Sequence, residues 1–339
     1  MAPTNHQLRL ARRPDGMVND QTFELVEERL PELEAGQYRV RVAYLSIDPT
    51  NRVWIREEAS YLPPVQIGEV MRGGAIGEVV ETRNDAFPVG AAVMGMLGWQ
   101  EYVTGGDDIV ARQVPPGVPL PHMLSVFGTT GVTAYFGMLD VARPTPGETV
   151  VVSGAAGATG SIAAQIAKIQ GCRVIGIAGT EEKCRWLTDE LGLDGAINYH
   201  TEDVGTRLDV WCPNGIDVFF DNVGGAILDT VLQRLALRGR IALCGAISTY
   251  NETDRPPPIH WYMNLVVQRA RIEGFLVLDY LDRFPEAVLQ LVQWVEEGRI
   301  HWRDHIVDGL EQAPRALNML FTGENTGKLM VRVGPDPTA

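Results

Sequence analysis

The stretch Thr149-Val150-Val151-Val152-Ser153-Gly154-Ala155-Ala156-Gly157-Ala158-Thr159-Gly160-Ser161-Ile162-Ala163-Ala164-Gln165-Ile166-Ala167-Lys168 decides the fold. An apolar strand pattern runs into a glycine-rich turn, and a helix of small and apolar residues follows. Such a sequence builds an anion site, because the unpaired N–H groups at the start of a helix point at the ligand. Gly157 and Gly160 have no side chain to hold a pyrophosphate away, and Ala163, Ala164 and Ala167 let the helix lie close to a sheet. Ala155 stands at the first position of the G-x-G-x-x-G fingerprint. The loop alone is therefore a weak signal, and its setting between a strand and a helix gives it weight.

Downstream, strand and helix patterns alternate. Strands are predicted at 172–178, 195–199, 216–221, 240–244 and 272–278, and helices at 181–191, 226–237 and 283–297. That alternation predicts a parallel, doubly wound α/β sheet. Upstream, short runs such as Phe23-Glu24-Leu25-Val26 and Tyr38-Arg39-Val40-Arg41-Val42 are separated by Gly and Pro, which predicts a compact β domain. Strand texture returns at 328–333, and the expected division is 1–124 completed by 305–339, with 125–304 as the second domain.

The 339 residues suffice for two domains with large cores. A net charge of -14 argues against nucleic acid or anionic membranes as partners, and no apolar run approaches a membrane span. With no apolar signal core near the start, and four scattered cysteines (Cys172, Cys184, Cys212, Cys244), the expectation is a cytoplasmic protein with reduced thiols.

The residue types also bear on the cofactor. No acid closes the second strand of the doubly wound region, where NAD-binding chains hold the ribose diol, although Glu181 and Glu182 follow closely. Lys183 and Tyr199 are placed to hold a 2′-phosphate instead. No metal site is expected. The β region has no cysteine, and the step Gly68-Glu69 has no histidine between its residues. His301 and His305 have helical spacing without the glutamate of H-E-x-x-H.

The glycine loop, Lys183, Tyr199, Asp221-Asn222-Val223-Gly224-Gly225 and Cys244-Gly245-Ala246-Ile247-Ser248-Thr249-Tyr250-Asn251 together resemble the zinc-free medium-chain dehydrogenases/reductases. Within them the likeness is to the leukotriene B4 dehydrogenase, prostaglandin reductase and curcumin reductase group. The resemblance implies a GroES-like β domain, a Rossmann domain and NADPH as cofactor. It implies that Gly157, Ala158, Thr159 and Gly160 meet the pyrophosphate, and that Lys183 and Tyr199 meet the 2′-phosphate. The rest of the dinucleotide would be lined by Asn222, by Cys244, Gly245, Ala246, Ile247, Ser248, Thr249 and Tyr250, by Phe275, Leu276 and Val277, and by Asn325.

The implied reaction is reduction of the carbon–carbon double bond of an enone or enal. Tyr250 is the first candidate to donate a hydrogen bond to the enolate oxygen, and Tyr262 the second. Relatives often follow Asp-Pro with Tyr and Met, whereas Thr50 and Asn51 follow Pro49 here, so the substrate pocket differs. An NADPH quinone oxidoreductase and a non-catalytic NADPH-binding protein are the alternatives. The resemblance further implies a homodimer.

Overall fold

The computed structural model describes residues 4–58, 60–106, 111–252 and 258–338. The chain divides into two compact units, one of Met1–Leu124, Asp304–Asn325 and Leu329–Ala339, the other of Ser125–Arg303 and Thr326–Lys328.

The first unit is built on β1 (Thr4–Leu10), β2 (Phe23–Arg29), β3 (Tyr38–Ser46), a short helix α1 (Thr50–Trp54), β4 (Ala75–Thr82), β5 (Ala92–Gly95), β6 (Tyr102–Gly105), β7 (Ala111–Gln113) and α2 (Leu120–Leu124). β1 and β2 form an antiparallel hairpin. β3 is almost wholly buried and pairs antiparallel with β4 and β6. Its core gathers Leu10, Tyr38, Val40, Leu45, Ile47, Met71 and Trp99.

The second unit begins with α3 (Thr129–Phe136), which runs into one π-helical turn, and continues with β8 (Thr149–Ser153), α4 (Ala158–Ile169), β9 (Arg173–Ala178), α5 (Glu181–Arg185), β10 (Gly195–Asn198), α6 (Val204–Trp211), β11 (Ile216–Asp221), α7 (Gly225–Leu232), β12 (Leu235–Leu243), α8 (Met263–Gln268), β13 (Arg271–Gly274) and α9 (Phe284–Glu296). The six strands pair in the order β10-β9-β8-β11-β12-β13, all parallel. This is the doubly wound order of the Rossmann fold, and its topological switch lies between β8 and β11. Val150, Val151 and Val152 are fully buried, as a central strand covered on both faces requires. Ala163, Ala164 and Ala167 of α4 are equally buried, so the helix axis sits close to the sheet.

After α9 the chain returns to the first unit as β14 (Asp304–Asp308), α10 (Ala313–Thr322) and β15 (Lys328–Arg332), which pairs antiparallel with β3. The GroES-like and Rossmann classes expected from sequence describe the two units.

Several element boundaries differ from the sequence reading. The helix expected to reach residue 237 stops at Leu232, and Leu235 already belongs to β12. Arg238 takes a left-handed φ of 64° beside Gly239, and β12 shifts register against β11 there, so the strand carries a bulge that hides its start. The last strand of the sheet ends at Gly274, because residues 277–283 turn into a 3₁₀ helix. The short helices α6 and α8 gave no predicted pattern.

One polar anchor of the second unit has a measurable signature. The Arg240 guanidinium makes two 2.7 Å bonds to the Glu148 carboxylate and also donates to the carbonyls of Ala142 and Arg143. Both side chains are mostly buried, and hydrogen bonding to Arg240 holds the Glu148 carboxyl below its ordinary 4.5. A depressed carboxylate pKa contributes stability above the unfolded-state value and loses it as pH falls through the folded-state value. Arg240→Met is therefore expected to lower stability at pH 7 by about 2–3 kcal/mol. The gap from the natural protein should narrow in thermal melts as pH drops below 4.5. A gap independent of pH would show that only the carbonyl bonds matter.

Candidate cofactor site

The C-terminal ends of β8, β11 and β12 lie side by side, and three loops leave from them: 154–157, 222–225 and 244–250. Ligands of this fold bind outside these strand ends at the switch point. Gly154 bends the chain with a φ of 57°, and its carbonyl accepts the N–H of Gly157 at 2.9 Å. α4 then starts at Ala158 with an extended Gly157 before it and no side chain capping its first N–H groups. A Cβ on Gly160 would stand 2.3 Å from the Gly154 carbonyl oxygen, so the loop and the first helical turn touch backbone to backbone. The uncapped N–H groups and bare backbone fit the pyrophosphate of a dinucleotide.

Asp221 closes β11 and is fully buried. Its carboxylate accepts the Ser153 hydroxyl at 2.7 Å, the Val223 N–H at 2.9 Å and the Gly224 N–H at 3.0 Å. Its main-chain carbonyl accepts the N–H groups of Cys244 and Gly245. Asn222 sends its amide to the Ser153 carbonyl at 2.7 Å, and its own carbonyl accepts the Ile247 N–H. Ser248 donates both its N–H and its hydroxyl to the Val223 carbonyl. The three loops are thus one hydrogen-bonded surface. The sequence reading quoted Asp221 but gave it no role, and gave none to Ser153.

The expected site residues fall as follows. Gly157, Ala158, Thr159 and Gly160 form the start of α4. Lys183 lies in the first turn of α5, where its N–H donates to the capping Thr180 hydroxyl at 3.2 Å. Burial pulls its ammonium below the usual lysine range. Tyr199 follows β10, is 42% exposed, and its hydroxyl would stand 3.0 Å from a Cβ on Gly179. Both residues flank the end of β9, where Ala178, Gly179 and Thr180 carry no carboxylate. This donor set fits a 2′-phosphate.

Asn222, Cys244, Gly245, Ala246, Ile247, Ser248, Thr249 and Tyr250 all lie in the joined loops. The Tyr250 hydroxyl accepts the Ala246 N–H at 3.1 Å, folding the phenol back over its own turn. Phe275 packs its ring on Phe220, 6.2 Å between centroids, and against Gly137, while Leu276 and Val277 continue past β13. Tyr262 precedes α8 and is 58% exposed. Asn325 is buried in the first unit, just before the Thr326–Lys328 segment of the second, whose Gly327 N–H donates to the Ala156 carbonyl at 2.9 Å.

A metal centre does not fit these residues. Among the described residues, no three His, Cys, Asp or Glu side chains gather as a metal-binding group. Burial pushes the thiols of Cys172, Cys184 and Cys212 up to about 11 and that of Cys244 to about 12, so they are protonated at neutral pH.

Known proteins share this arrangement. Residues 6–111 match a family described as the N-terminal domain of oxidoreductase, and residues 158–294 one described as zinc-binding dehydrogenase. The NADPH-dependent curcumin reductase of Escherichia coli (strain K12) is 41% identical over 98% of both chains. Prostaglandin reductase 1 of Rattus norvegicus is 38% identical, covering 95% of this chain and 97% of the relative. CurA in complex with NADPH from Vibrio vulnificus superposes with a TM-score of 0.92 at 39% identity, over 97% of this chain and 99% of that one. With its doubly wound sheet and relatives of matching length, the chain belongs to the medium-chain dehydrogenase/reductase family, in the zinc-free group that includes the curcumin and prostaglandin reductases.

Proposed function

We propose that this protein uses NADPH to reduce the carbon–carbon double bond of α,β-unsaturated ketones or aldehydes, without a metal. The observation that carries the reading is the near-full-length relationship to an NADPH-dependent reductase, joined to a strand-end surface whose donors suit that cofactor. The second unit acts as the NADPH-binding domain and the first as the substrate domain. When bound, NADPH supplies a hydride to the carbon β to the carbonyl. The start of α4 holds the pyrophosphate, Lys183 and Tyr199 hold the 2′-phosphate, and the 222–225 and 244–250 loops carry the remainder, with residues 275–277 completing the lining.

Charge displaced onto the substrate oxygen needs a donor. Tyr250 is the first candidate. The N–H that its oxygen accepts from Ala246 polarises its O–H and strengthens it as a donor. Tyr262 is the second.

NADPH oxidation with a panel of enones, enals and quinones tests the reading. A saturated ketone or aldehyde is the expected product. A hydroquinone as the sole product, or no turnover with any of them, overturns it.

The same reading extends to assembly. Among the described residues, nine of the twenty exposed large apolar side chains fall between Ile259 and Leu281. They flank β13 in sequence, and among the described residues β13 is an edge strand of the six-stranded sheet. A second copy related by a two-fold axis covers this edge and makes the protein a homodimer. Val266 is 65% exposed there, so Val266→Glu is expected to give a folded monomer on sedimentation, against a dimer of 37.2 kDa subunits. The four free thiols support a cytoplasmic location.

A further inference from the structure

We infer that Asp221, with Ser153 beneath it, is the positioning group that fixes the NADPH platform: without touching the cofactor, it sets the loops over β11 and β12 relative to the phosphate-binding start of α4. The inference rests on the function proposed above and assigns a role to a carboxylate that the reaction itself does not use.

A fully buried carboxylate is costly, and burial pushes the Asp221 carboxyl up from its usual range. Among the described residues, every polar partner of its oxygens is a donor: the Ser153 O–H and the N–H groups of Val223 and Gly224. The pocket is therefore built for the anion. Gly224 and Gly225 both take positive φ, 68° and 55°, so the chain turns sharply enough to bring these N–H groups back onto the carboxylate. Ser153 is the last residue of β8 and relays the contact. Its hydroxyl donates to Asp221 and accepts the Asn222 N–H at 2.9 Å, while its carbonyl accepts the Asn222 side chain. One residue thus couples the end of the strand that feeds the glycine loop and the turn after β11 through its carboxyl group, and the turn after β12 through its main-chain carbonyl.

The strand order makes the consequence directional. Lys183 and Tyr199 sit by β9 and β10, whereas the loops fixed by Asp221 lie over β8, β11 and β12. From β9 to β12 is three strand spacings, roughly 14 Å. A ligand confined to the phosphoadenosine end does not reach the β11 and β12 loops, but a whole dinucleotide does.

The test is a pair of titrations, NADPH and adenosine 2′,5′-bisphosphate, against the natural protein, Asp221→Asn and Ser153→Ala. Asp221→Asn is expected to raise the NADPH dissociation constant about tenfold or more and to leave that of the bisphosphate within about twofold. Ser153→Ala keeps the carboxylate and is expected to move NADPH affinity the same way by about three- to fivefold. A purely structural role would lower the melting temperature and weaken both ligands together, and that result overturns the inference. So does an unchanged NADPH constant in both variants. If Asp221→Asn does not fold, Ser153→Ala decides by the same split. If the natural protein binds neither ligand, the proposed function fails instead, before either variant is reached.

Discussion

An alanine at Gly160 is expected to weaken NADPH binding at least about a hundredfold, equivalent to about 2.7 kcal/mol. The added methyl would stand 2.3 Å from the Gly154 carbonyl oxygen, 2.9 Å from its carbonyl carbon and 3.0 Å from the Ala155 Cα. All three are backbone atoms, so no side chain can swing away. The loop is also held from its other side, by the Ala155 N–H on the Ile177 carbonyl at 3.0 Å and the Gly157 N–H on the Gly154 carbonyl. Relief therefore requires α4 to slide out, carrying its N-terminal N–H groups off the phosphate position. Overpacking of this kind costs about 1–3 kcal/mol, so the variant is expected to fold with a lowered melting temperature. Gly157→Ala is the contrast. Its Cβ would lie 3.2 Å from the Gly154 carbonyl oxygen, which a shift of a few tenths of an ångström relieves. That variant should keep its stability and lose only about tenfold in NADPH affinity. Fluorescence titration of NADPH beside thermal melts reads both. Gly160→Ala binding within threefold of the natural protein would mean that α4 does not hold the pyrophosphate.

The same loop explains what sequence alone conveyed. A doubly wound sheet writes itself locally: each strand is a short apolar run, each crossover a helix, and the phosphate loop joins two consecutive elements. The parallel, doubly wound class of the β8–β13 sheet was thus legible from alternation. Features made by contacts distant along the chain were not. Asp221 meets Ser153 across 68 residues, and no local pattern announces that bond. Nor does any local pattern announce that the Tyr250 hydroxyl accepts the N–H of Ala246, four residues back. α8 escaped notice for a different reason. Its Met263, Val266 and Val267 are all exposed, so it lacks the one-sided burial that gives a helix its period. The helix–strand boundary near residue 235 failed because the apolar pattern runs on through Leu232 and Leu235 while the backbone changes state between them. In each case the missing information lay in tertiary contacts rather than in propensity.

Lys183→Ala is expected to reduce NADPH affinity by about ten- to a hundredfold and to leave NADH affinity nearly unchanged, since a charge-assisted hydrogen bond contributes about 1.5–3 kcal/mol. The expectation follows from where the charge is kept. α5 is short, and the Thr180 cap pins its first turn, so Lys183 is held beside the end of β9 rather than cast into solvent. Burial lowers its pKa from 10.5. A base with a depressed folded-state pKa costs stability at neutral pH, and the cost fades as pH rises through the folded-state value toward 10.5. The protein thus carries a partly desolvated cation that works against its own stability, and an incoming phosphate dianion recovers that cost. Removing the cation should accordingly leave the melting temperature of the ligand-free protein equal or slightly higher at pH 7, while the stabilisation by added NADPH shrinks. The two readings separate a cofactor-selecting lysine from a surface lysine. A surface lysine would change neither affinity, and a lysine needed for the fold would lower both affinities and the melting temperature. Equal losses for NADPH and NADH would place the discrimination elsewhere, with Tyr199 the next residue to replace.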